Sequence, residues 1–251
     1  MFQKQGVRAG GAGKLTYKPS TDEGLIPKTL IFIRDQLPDW RDDAERPRDV
    51  AEQSLNFHLC VFLNRRSRSL LPMVHFQREV PQGKARLVDM GVLGTEELTV
   101  IDARGYSIYE PFLVIEAKRL PAPGLDRERE YVAGANRNNA SPTGGVQRFK
   151  LGLHGADIET AAMIGYIQKK TAAYWYDMIN QWIMDLSSEN AGDDCEWRSE
   201  EKLGHFDCVD ERGISTSVSD HHRAKSCRTN SIRIHHLWIE MGSANKSSKT
   251  Q

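Results

Sequence analysis

The stretch Phe112-Leu113-Val114-Ile115-Glu116-Ala117-Lys118-Arg119-Leu120-Pro121 decides how this chain is read. Its unbroken apolar start marks a strand buried on both faces. The strand runs straight into charge at Glu116-Ala117-Lys118, and Pro121 and Pro123 stop it. Side chains alternate along an extended chain, so Glu116 and Lys118 share one face. A glutamate and a lysine side by side at the end of a buried strand suit chemistry, although an E-x-K alone also fits a salt-bridged strand end.

Upstream, 85–93 reads as a strand carrying Leu87-Val88-Asp89-Met90-Gly91-Val92. In 73–80, Val74, Phe76 and Arg78 alternate with His75, Gln77 and Glu79, and Pro81-Gln82-Gly83 makes the turn of a hairpin. A third short strand is expected at 98–101. Before the hairpin, Val50, Leu55, Leu59, Phe62 and Leu63 recur at helical steps. This helix is expected from Asp49, with Pro47 suited to its first turn and Glu52 one turn inside. It ends near the basic run Asn64-Arg65-Arg66-Ser67-Arg68. Residues 26–37 suit a short helix or strand, and 1–20 read as a flexible basic arm.

Downstream, 121–145 reads as a mobile excursion, 146–150 as helix, 161–167 as a buried strand and 172–186 as a clear helix. Residues 187–230 are polar and poorly patterned, and 232–241 closes as a strand. The fold class is α/β, with one mixed central sheet flanked by helices. Three stretches are expected: 1–46 as the basic arm and a leading element, 47–190 as the core, and 191–251 as a polar C-terminal segment ending in a strand and a disordered tail.

Composition narrows the function classes. Lysine plus arginine equals aspartate plus glutamate at 34 each, so whole-molecule charge does not advertise a nucleic-acid partner, and any such partner must be held by local basic patches. Apolar runs of about five to eight residues are too short for a membrane span, and no signal-peptide core is visible, so a cytoplasmic protein is expected. The 4 cysteines form no C-x-x-C pair. Cys195, His205, Cys208 and Cys227 lack finger spacing apart from His205-x-x-Cys208, so free thiols are expected over a structural zinc. No phosphate-binding loop and no G-x-S-x-G elbow occurs, which argues against an ATPase or a serine hydrolase. The stripe of Tyr174, Trp175, Tyr176 and Trp182 reads as packing more readily than as base stacking.

Asp89, Glu116 and Lys118 together have what phosphodiester hydrolysis needs. Two carboxylates hold a hard cation such as Mg²⁺ or Mn²⁺ through oxygen, and the Ala117 carbonyl is a further ligand. The cation polarises the phosphate and activates a water, which the lysine orients. Glu52 completes the acid cluster, although a first-turn glutamate also stabilises a helix without chemistry.

In this order, Glu52 on a helix, Asp89 on the second strand and Glu116-x-Lys118 on the third resemble the PD-(D/E)XK, or restriction-endonuclease-like, nuclease superfamily over residues 47–190. The resemblance implies an αβββαβ core. It implies that Asp89, Glu116, Ala117 and Glu52 serve the metal, that Lys118 positions water, and that Gln147, Arg148 and Lys150 meet nucleic acid. It further implies a Mg²⁺-dependent nuclease acting on DNA in restriction, phage defence or repair, with a homodimer and a helicase or ATPase partner as family context. Three departures stand out: no proline precedes Asp89, the gap from Asp89 to Glu116 is long enough to require an extra hairpin, and the gap from Lys118 to Gln147 is also long. The competing expectation is a catalytically inactive module of the same fold that binds nucleic acid or a protein.

Overall fold

A computed structural model describes residues 24–48, 51–83, 86–134, 142–189, 195–207 and 211–242. The basic arm, the 243–251 tail, Asp49, Val50 and Cys208 lie outside the described residues. The chain builds a six-stranded mixed sheet in the order β1-β2-β5-β6-β8-β7, covered by helices on both faces. No helix among the described residues is long and apolar enough to cross a membrane.

The strands are β1 (Val74–Pro81), β2 (Leu87–Gly94), β3 (Leu98–Ile101), β4 (Arg104–Ser107), β5 (Leu113–Leu120), β6 (Thr160–Ile167), β7 (Ile214–His222) and β8 (Ser231–Glu240). β1, β2 and β5 form an antiparallel meander, β5, β6 and β8 run parallel, and β7 closes the far edge antiparallel to β8. β3 and β4 form a separate hairpin, which fills the long gap between Asp89 and Glu116. β8 lies between β6 and β7, so the stretch expected as a polar C-terminal segment completes the same sheet.

One face carries α1 (Leu25–Asp42) and α2 (Glu52–Leu70). α2 buries Leu55, Leu59, Phe62 and Leu63 against Met90, Ile115 and Ala117. Side chains of this kind contribute about 1.5–3 kcal/mol each when fully buried. Pro47 and Glu52 both depart from expectation: Pro47 precedes the helix, and Glu52 is its first residue, with Ala51 as the cap. At that position the glutamate side chain is free to reach past the helix toward the sheet.

The other face carries α3 (Gly145–Lys150), α4 (Ala172–Ser188) and a 3-10 turn at Leu125–Tyr131. Thr171 caps α4 by accepting the Tyr174 N–H at 3.2 Å. Trp175, Ile179, Trp182 and Ile183 line the core face of α4, so Trp175 and Trp182 act in packing.

β7 has no apolar stripe. Its inward positions are Ser215, Ser217, Ser219 and His221, all buried. A chain of hydrogen bonds satisfies much of this polar face. The Trp238 indole donates to the Tyr131 hydroxyl, which lies 2.8 Å from His236 Nδ1. His236 Nε2 meets Ser219 Oγ at 2.8 Å, and that hydroxyl meets His221 Nε2 at 2.7 Å. Burial pushes both histidines below their usual range and keeps them neutral. Ser219, 3% exposed, is a buried member of this chain.

Candidate active site

The site forms where β2 and β5 separate. Their pairing runs Val92↔Leu113, Gly91↔Val114 and Met90↔Ile115, and the ladder goes no further. On its other edge, β2 skips the pair opposite Asp89, where Glu79 of β1 takes a left-handed φ of 53°. Asp89 lies inside β2, and the ladder releases it on both sides. Glu116 likewise lies inside β5.

Beyond Ile115, the next two amides on that edge of β5 belong to Ala117 and Arg119. Two carboxylates replace the missing strand. Asp89 Oδ2 accepts the Ala117 N–H at 2.8 Å, and Glu52 Oε2 accepts the Arg119 N–H at 3.2 Å. Within a strand, the N–H and C=O of one residue point to the same edge. The Ala117 carbonyl accordingly faces Asp89.

Glu116 and Lys118 share a face, as alternation requires, and Lys118 Nζ lies 3.0 Å from Glu116 Oε1 and 3.1 Å from Glu52 Oε1. Arg148, from α3, reaches Glu116 Oε1 at 2.9 Å. His154, in the loop after α3, places Nδ1 3.1 Å from Glu116 Oε2. Glu116 and His154 are each 1% exposed. Two elements and one loop thus converge on a single carboxylate.

The two central carboxyls differ sharply in acidity. Burial, then the neighbouring Glu116 charge, pushes Asp89 up to about 7, against the pull of Lys118 and the Ala117 N–H. Burial acts the same way on Glu116, but Lys118, His154 and Arg148 outweigh it and hold Glu116 below the usual carboxylate range. Burial alone would lower Lys118. The Glu116, Glu52 and Asp89 charges overcome that, so the amine stays protonated above its usual range.

The oxygen donors here are of the kind a hard divalent cation takes. Glu116 Oε1 is engaged by Lys118 and Arg148, whereas Oε2 is buried without an aligned hydrogen-bond partner. A buried carboxylate oxygen in that state is costly unless a ligand satisfies it. Asp89 Oδ1 is not engaged by the Ala117 bond, and strand geometry turns the Ala117 carbonyl to the same edge of β5. No group of three or more His, Cys, Asp or Glu side chains among the described residues is spaced to hold an ion, so a cation here would depend on that carbonyl as well. Glu52 has both oxygens bonded to Lys118 and Arg119, so it supports the cluster through them.

Of the residues expected to meet nucleic acid, two are corrected. Lys150 is 1% exposed; its amine bonds both oxygens of Glu201 at 2.5 and 2.6 Å and the His222 carbonyl at 3.1 Å. A buried, fully bonded amine cannot reach a DNA backbone. Gln147 is also buried, and its side-chain oxygen accepts the Gly134 N–H at 3.1 Å, tying down the chain before α3. Arg148 is partly exposed but turned onto Glu116. His154 was not singled out by its sequence, where only the flanking Gly152 and Gly155 hint at a shaped loop. Cys60 and Cys195 are buried and Cys227 is partly so.

Comparison of the chain with family models, curated proteins and solved structures finds no match.

Proposed function

We propose that this protein is a metal-dependent phosphodiesterase, and more particularly a Mg²⁺-dependent nuclease of the PD-(D/E)XK kind that cuts DNA. The observation that carries the reading is the convergence of Asp89, Glu116 and Lys118 at the β2–β5 fork, with Glu52 bridging Lys118 and the Arg119 amide from a helix. The order α2-β1-β2-β5-α3-β6, with β5 and β6 parallel, supports it, because this is the αβββαβ arrangement the motif requires.

Asp89, Glu116 and the Ala117 carbonyl would hold Mg²⁺ or Mn²⁺. When bound, the cation polarises a phosphoryl oxygen and lowers the pKa of water. Lys118 is a hydrogen-bond donor throughout: held cationic between Glu116 and Glu52, it orients the attacking water and offsets charge building on the phosphate. It does not take the proton. Arg148, more exposed than Lys118 and held by Glu116 Oε1 and, through Nε, by the Pro142 carbonyl at 3.2 Å, would offer its remaining donors to a phosphate. Restriction, phage defence and repair are the settings in which such an activity would serve.

The test is digestion of circular and linear, single- and double-stranded DNA, and of RNA, with Mg²⁺ or with chelator. Cleavage of DNA should require the cation, and Lys118→Ala should slow it by about 10²–10³-fold, the cost of losing one preorganised donor. Identical behaviour of wild type and Lys118→Ala on every substrate would refute the reading.

A further inference from the structure

The loop after α3 is built with more care than a connection needs. Gly152 and Gly155 both adopt left-handed φ, 65° and 58°. A Cβ on Gly155 would press against Ile158 at 2.8 Å and Val114 at 3.0 Å, so the loop packs directly on β5. Arg223, in the turn after β7, is 9% exposed and spends its guanidinium entirely on this region. Its Nε donates to the Phe149 carbonyl at 3.1 Å, and its other nitrogens donate to the carbonyls of His154, Gly155, Ala156 and Ile158 at 2.8–3.4 Å and to Thr229 Oγ1 at 2.8 Å. A buried cation satisfied by carbonyl dipoles in place of a carboxylate fixes backbone position strongly, since a guanidinium has rigid donor geometry. What the fixed loop delivers is His154, packed edge-on to Phe149 with ring centres 6.0 Å apart and Nδ1 against Glu116 Oε2.

We propose that His154 is a positioning residue of the nuclease site, anchored by Arg223, which holds Glu116 Oε2 in the direction of the divalent cation. The inference rests on the nuclease reading and adds two residues from outside its motif. Glu116 Oε1 is occupied by Lys118 and Arg148, so Oε2 is the oxygen left to a metal. His154 Nδ1 approaches Oε2 without the alignment of a straight hydrogen bond, which leaves lone-pair density there for a second partner. Groups standing behind a metal ligand in this way fix its orientation.

The experiment compares His154→Asn, His154→Gln and His154→Leu by calorimetric titration with Mn²⁺ and by the Mg²⁺ dependence of DNA cleavage. Asparagine places its amide nitrogen where Nδ1 lies, whereas glutamine, closer to histidine in length, places it where Nε2 lies. His154→Asn should bind Mn²⁺ close to wild type. His154→Gln and His154→Leu should weaken binding, and raise the half-saturating Mg²⁺, by about 10–100-fold. Arg223→Lys keeps the charge but loses the multiple carbonyl bonds, and should shift both readouts in the same direction. Wild-type Mn²⁺ affinity in His154→Leu, or no difference between the Asn and Gln variants, overturns the inference while leaving the nuclease reading intact. If wild type itself neither binds Mn²⁺ nor cuts DNA, the nuclease reading fails and the inference falls with it.

Discussion

Replacing Asp89 by asparagine should stabilise the protein and abolish cleavage in one step. The side-chain oxygen of asparagine can still accept the Ala117 N–H, so the β2–β5 fork keeps its bond. What is lost is a carboxylate held beside Glu116 in a largely dry site. In the folded chain the Asp89 proton is retained up to about 7, against an ordinary value of 3.8. Because the folded value is the higher one, ionisation opposes folding: the penalty is absent well below pH 3.8 and is fully developed above about 7. A gap of roughly three units at 1.36 kcal/mol each sets a ceiling of about 4 kcal/mol. Asp89 and Glu116 titrate together and Asp89 keeps some contact with water, so a gain of about 1–3 kcal/mol is expected at pH 8. In a chain of this size that corresponds to about 2–10 °C in melting temperature.

The assay is thermal unfolding of wild type and Asp89→Asn without divalent cation, at pH 8 and at pH 4.5. The gain should be large at pH 8 and shrink at pH 4.5, where wild-type Asp89 is itself protonated. Added Mg²⁺ should stabilise wild type by mass action and leave the variant unmoved. A variant no more stable than wild type at pH 8, or an equal gain at both pH values, would refute the electrostatic account of the site.

Glu116→Gln should do the reverse, losing about 3–5 kcal/mol in denaturant unfolding, because Lys118, Arg148 and His154 are left around a neutral amide. Glu116 has a depressed pKa, so its contribution is present above the ordinary 4.5 and fades as the solution becomes strongly acidic, where variant and wild type should converge. Lys150→Met should cost a similar amount, about 3–5 kcal/mol, by stranding Glu201. The Lys150→Met/Glu201→Gln pair should recover part of that, because glutamine removes the charge and keeps an acceptor for the His222 N–H, and neither variant should weaken DNA binding measured by fluorescence anisotropy at fixed salt.

The parts of the fold legible in the sequence are those whose buried side chains are apolar and regularly spaced. Leu55, Leu59, Phe62 and Leu63 announce α2, and Leu113, Val114 and Ile115 announce a doubly covered strand. β7 is silent for the opposite reason: its inward residues are serines and a histidine, acceptable only because Tyr131, His236 and Trp238 arrive from elsewhere to bond with one another and with Ser219. Lys150 misleads similarly. On a six-residue helix no period shows which side faces the core, and its partner Glu201 is remote in sequence. Glu116 and Lys118 are legible because their spacing follows strand alternation, and Asp89 because it sits in an apolar stretch that pairs with theirs. His154 is not, because its role depends on Arg223, a contact between residues far apart in the chain.

Asp89 joins strand-edge satisfaction and the proposed chemistry in one side chain, through different oxygens. Where β2 leaves β5, two amides lose their ladder partners, and Asp89 and Glu52 take them up. Removing Asp89 altogether therefore does two things: it deletes a candidate metal ligand and strands the Ala117 N–H, an omission that costs about 1–3 kcal/mol when the donor is buried. In Asp89→Ala that loss offsets the relief of repulsion with Glu116, and the stability change alone cannot distinguish the two effects. Asparagine separates them, since it keeps the acceptor and removes only the charge. The same reasoning applies to Glu52→Gln, which keeps an acceptor for the Arg119 N–H while taking one negative charge away from Lys118. Substitutions that preserve hydrogen bonding while changing charge are therefore the ones that separate the chemistry of this fork from its architecture.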